Sequence, residues 1–86
     1  MKRYLLRVNP VPTEPDAHPY RTVVNRMRAE KLTRQYYKEY VIPFAIAHNL
    51  NYKRHEWKFG ISLQKRDLVA LTLLLPTDAV LIQDSE

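Results

Sequence analysis

Apolar and polar residues alternate without a break over residues 55–64. His55, Trp57, Phe59, Ile61 and Leu63 fall on one side, with Arg54, Glu56, Lys58, Gly60, Ser62 and Gln64 on the other. A period of two marks a strand with one buried face. A shorter alternation, Tyr4, Leu6 and Val8 against Arg3, Leu5 and Arg7, predicts a first strand over residues 3–8. Between these two lies residues 20–49, helical by composition and free of glycine, with Pro19 suited to a first helical turn. Within it, Val23, Val24 and Met27 cluster on one side of a helix. Tyr36, Tyr37, Tyr40, Val41, Phe44 and His48 cluster about 120° away. One straight helix cannot bury both sets, so a break is expected at residues 31–33, with Thr33 as N-cap of a second helix. Pro43 predicts a kink or a restart inside that second helix, and Asn49 and Asn51 offer its termination.

The remaining segments complete the outline. Residues 9–19 carry four prolines, which fix φ and remove backbone donors, so this stretch reads as an extended connector. Lys65, Arg66 and Asp67 form a tight polar turn leading into the apolar run of residues 68–75, which fits a central strand covered on both sides. A second turn at Pro76, Thr77 and Asp78 precedes a short last strand over residues 79–82. The expected fold is one small α+β domain spanning residues 1–86, in the order β-α-α-β-β-β, with helices packed on one face of an antiparallel sheet. Apolar C-terminal strands in so small a sheet leave an edge through which a homodimer is conceivable.

Charge changes the picture more than any motif. Residues 1–66 hold all fourteen Lys and Arg against five acids, whereas residues 67–86 hold four acids and no base, so the net +5 conceals a polarised molecule. A basic surface of this kind attracts polyanions. With no cysteine there is no disulfide framework and no thiolate metal site, as suits a reducing cytoplasm. Only two apolar residues, Leu5 and Leu6, separate Tyr4 from Arg7, too few for a signal-peptide core, and the 68–75 run is too short to cross a bilayer. A cytoplasmic protein with no membrane partner is therefore expected.

The strongest candidate chemistry is a basic helical face. Arg21, Arg26, Arg28, Lys31, Arg34 and Lys38 are accompanied by one acid, Glu30, over residues 21–38. If the helix is continuous, Arg28, Lys31, Arg34 and Lys38 fall within about 120° of arc. Such a stripe suits the phosphates of DNA or RNA, each of which releases condensed counterions when neutralised. A second patch comprises Tyr52, Lys53, Arg54 and Lys58, with Tyr52 as a stacking residue and Gly60 permitting close backbone approach. Tyr36, Tyr37 and Tyr40 read chiefly as core residues with wet hydroxyl tips. His18, His48, His55 and Glu56 have no metal-ligand spacing, and neither a catalytic triad order nor a glycine-rich phosphate loop is present, so no metal, cofactor or catalytic residue is expected. The leading expectation is a non-enzymatic nucleic-acid-binding protein, and the alternative is a regulator or inhibitor of phage or plasmid type that docks on an acidic protein surface.

Trp57-Lys58-Phe59-Gly60-Ile61-Ser62-Leu63, followed by Lys65-Arg66-Asp67 and the apolar run, resembles the central hairpin of the RelE/ParE superfamily of toxin endoribonucleases. The resemblance covers about 20 residues. It implies RNA cleavage assisted by bases near Arg54, Lys58 and Arg66. The chain departs from that pattern where Pro76-Thr77-Asp78 and an acidic tail replace the family's basic segment.

Overall fold

A computed structural model describes residues 2–52 and 59–84. Its elements are β1 (Lys2–Val8), α1 (Tyr20–Tyr36), a π turn (Tyr37–Val41), α2 (Ile42–Ala47), β2 (Gly60–Leu63), α3 (Lys65–Leu74) and β3 (Ala79–Gln83). The class is α+β as the sequence predicts, with helices packed on a three-stranded antiparallel sheet of order β2-β1-β3. β1 takes the centre. Its Tyr4, Leu6 and Val8 are buried against the helices, while Arg3, Leu5 and Arg7 occupy the other face, as the alternation requires. Tyr4 pairs with Ile61 on one side, and Leu6 pairs with Leu81 on the other. Val41, Ile61, Leu63 and Leu71 are the largest side chains almost wholly withdrawn from water. Burial of each such residue contributes about 1.5–3 kcal/mol.

Four sequence expectations change. First, no break occurs at residues 31–33: α1 is continuous from Tyr20 to Tyr36. Thr33 caps nothing. It is buried, where its Oγ1 donates to the Ala29 carbonyl at 2.8 Å and accepts the Val8 amide of β1 at 3.2 Å. The two apolar sets are indeed incompatible with one buried face, but the incompatibility is resolved by leaving Val23 and Met27 in solvent rather than by breaking the helix.

Second, the interruption falls five residues later, as the π turn, where the Ile42 amide bonds the Tyr37 carbonyl. Pro43 is the physical reason. It has no N–H for the Glu39 carbonyl and its ring crowds that turn, so one widened turn absorbs both defects before α2 begins. α2 then ends as expected at Asn49, whose φ of 54° is left-handed. The Leu50 amide reaches the Ala45 carbonyl at 2.8 Å and the Asn49 amide reaches Ile46 at 3.3 Å, the double bond of a Schellman cap.

Third, the run expected as a central strand at residues 68–75 is α3. Leu and Ala are strong helix formers, and Asp67 lies in the first turn, where the helix dipole favours an acid. Pro76 drives Leu75 into extended backbone and stops the helix. Asp67, Leu71 and Leu75 are buried, whereas Val69, Leu73 and Leu74 face solvent, so this element is covered on one side and not two.

Fourth, the described part of the strand expected at residues 55–64 is Gly60–Leu63. Residues 53–58 lie outside the described residues. Ile61 and Leu63 point inward as expected, and Phe59 packs against the core with its ring edge-on to Tyr37 at 5.5 Å.

Candidate nucleic-acid interface

α1 has an underside and a top. The underside carries Ala29 and Thr33, its only buried residues, which seat the helix on β1. Earlier on the same line, Asn25 Nδ2 donates to the Val11 carbonyl and Thr22 Oγ1 to Thr13 Oγ1, both at 3.2 Å, tying the proline-rich connector beneath the first two turns. His18 Nδ1 accepts the Tyr20 amide at 3.1 Å, satisfying one of the donors left over at the helix start. About 180° from this line lies the top, where Tyr20, Met27 and Lys31 are exposed and Val24 is half-buried.

Arg28, Lys31 and Arg34, one helical turn apart, come together there around an open groove of about 680 Å³, with Tyr20, Val24, Met27 and Glu30 completing its lining. Arg26 is exposed on the opposite flank, in a second groove with Arg7, Glu30 and Phe59. Lys38 is exposed in the π turn, beyond Arg34. None of the side chains of Arg21, Arg26, Arg28, Lys31, Arg34 and Lys38 pairs with an acid among the described residues. The ion pair found among the described residues, Arg3 with Asp84 at 3.8 Å, lies at the sheet and involves none of these helix charges. α1 also has no acid in its first turn, where Arg21 sits against the positive end of the helix dipole. Like charges concentrated in this way repel one another, and an external polyanion relieves that repulsion.

Of the second patch, Lys53, Arg54 and Lys58 lie outside the described residues. Tyr52 is half-buried, packed against the core and bridged to Ile61 along the outer edge of β2. Gly60 gives no open approach. It is buried, and its carbonyl accepts the Tyr37 hydroxyl at 2.6 Å. That bond also corrects the expectation of a wet Tyr37 tip. Tyr36 does keep its hydroxyl at the surface, 3.4 Å from Asp78 Oδ2. Desolvation of its ring, and then the Asp78 carboxylate, hold the Tyr36 phenol above its ordinary value of 10.0. His48 is exposed and stacked on Phe44 at 4.2 Å. No group of three metal-binding side chains is found among the described residues.

Sequence reasoning missed the apolar part of this surface. Tyr20, Val23 and Met27 are 66%, 51% and 64% exposed, Tyr20 and Met27 on the side of α1 opposite Ala29 and Thr33 and Val23 on the flank toward Arg26. The hairpin underlying the toxin resemblance is also absent, because the residues following Leu63 and Gln64 form α3. No helix of the described residues is long and apolar enough to cross a membrane. The chain matches no protein-family model, no curated protein and no solved structure.

Proposed function

We propose that this chain is a nucleic-acid-binding protein without catalytic activity, which grips a phosphate backbone through the top of α1. The observation that carries this reading is the gathering of Arg28, Lys31 and Arg34 on one exposed groove, with no acid paired to any of them among the described residues. Their spacing along the helix repeats every three residues, about 4.5 Å of rise, comparable with the 3.4 Å step of phosphates along a strand once flexible side chains are allowed for. Arg26 and Lys38 extend the positive surface to one flank and beyond the end of α1. Guanidinium groups suit this task because they stay charged and offer two parallel donors to a phosphate.

The test is charge reversal. Arg28→Glu, Lys31→Glu and Arg34→Glu together abolish binding to labelled nucleic acid while the circular dichroism spectrum is retained, since all three side chains are exposed. Unchanged affinity in a folded triple variant would remove the reading.

A further inference from the structure

We infer that the nucleic acid is duplex DNA and that α1 lies in its major groove, with Tyr20, Val23 and Met27 turned toward the base edges. The inference rests on the polyanion-binding reading above and narrows it. Three large apolar side chains exposed on one half of a helix, Tyr20 and Met27 on its outer face and Val23 beside them, gain little in the free protein. The stripe continues into Lys31 and Arg34, so a single line along the helix top is apolar for two turns and basic for the next two.

The flanks decide what such a line faces. With Ala29 and Thr33 taken as the underside, Arg28 and Arg21 project about 60–80° from the top on one side, Arg34 projects about 60° on the other, and Arg26 lies about 140° round on that second side. Unpaired bases therefore span roughly 220° of arc around the apolar line. A single acidic helix laid on the top meets only part of that arc, whereas two phosphate backbones, one on each side, meet all of it. An α-helix with its side chains is about 10–12 Å across, and the B-DNA major groove is about 12 Å wide. In that groove the thymine methyl offers apolar contact, and guanine offers two acceptors to an arginine or lysine, so both halves of the stripe have complementary chemistry. From Tyr20 to Arg34 the helix rises about 21 Å, roughly six base steps. A-form RNA closes this route because its major groove is too deep and narrow for a helix, and a single strand lacks the second wall. The connector is tied to the underside through Thr22 and Asn25, and its residues 11–14 and Ala17 line a groove with Arg21 and Arg28 on that flank, leaving the top itself clear of it.

The experiment measures anisotropy of labelled duplex DNA, single-stranded DNA and duplex RNA of one sequence, with methyl green and netropsin as major- and minor-groove competitors, for the wild type and for Val23→Asp with Met27→Asp. The expected result is duplex DNA bound at least about tenfold more tightly than the other two, displacement by methyl green alone, and a loss of at least about tenfold in the double variant with its unfolding midpoint unchanged. Equal binding to all three ligands, or a double variant that binds like the wild type, overturns the major-groove placement and leaves the backbone reading standing. No binding to any of them overturns both, and the surface is then a protein-docking face.

Discussion

The long helical stretch has two halves that are similarly apolar and do opposite things. From Ala29 to Ala45 it supplies Ala29, Tyr37, Val41, Phe44 and Ala45 to the core. From Tyr20 to Arg28 it carries Tyr20, Val23, Val24 and Met27 and contributes no buried residue. What differs is the company these residues keep. Beneath the later half lies the sheet, to which Thr33 is bonded directly, whereas beneath the earlier half lies a connector whose prolines supply no regular packing surface. Apolar content alone does not separate core from exposed surface; the elements available for packing do.

Substitutions at matched apolar positions widen or erase this contrast. Ile61→Ala removes the side chain buried against Tyr4 and costs about 2–5 kcal/mol in urea unfolding. Met27→Ala and Val23→Ala each stay within about 0.5 kcal/mol of wild type. A Met27 loss as large as that of Ile61 would mean that the helix top is packed in solution. Thr33→Val deletes the acceptor for the buried Val8 amide and costs about 1–3 kcal/mol, locating the weld between β1 and the later half. Asn49→Ala places a Cβ residue without Asn's local hydrogen bonding in the left-handed cap and costs about 1 kcal/mol, while Asn49→Gly costs none of it. The smallest effect concerns Tyr36. Its phenol is raised when folded, so its contribution is fully present below pH 10.0 and is lost as pH rises through the higher folded value. Tyr36→Phe flattens that alkaline decline in an unfolding series.

The sequence was legible where one local rule acted alone. Alternation placed Tyr4, Leu6, Val8, Ile61 and Leu63 inward, Pro43 marked the irregular turn, and Asn49 marked the helix end. It misled where two rules competed. The continuous apolar run after Asp67 fits a doubly covered strand or a helix equally by periodicity, and its Leu and Ala content, rather than Val and Ile, is what favours α3. The break expected near Thr33 followed from requiring every apolar residue to be buried. Of the candidate site, the bases Arg28, Lys31 and Arg34 were readable from helical spacing, and Arg26 was separable from them by the same spacing. The exposed Tyr20, Val23 and Met27 were not, because periodicity gives the angle between residues and not which side meets the core.

The measurement closest to the central claim is the salt dependence of DNA binding for the wild type beside Arg28→Gln with Lys31→Gln and Arg34→Gln. If these three side chains neutralise phosphates, the slope of log K against log salt is shallower in the triple variant by about 2.7, so the wild type loses about 40-fold more affinity than the variant between about 50 and 200 mM. Identical slopes in a folded variant would contradict the account, because the top of α1 would then carry none of the phosphate contacts.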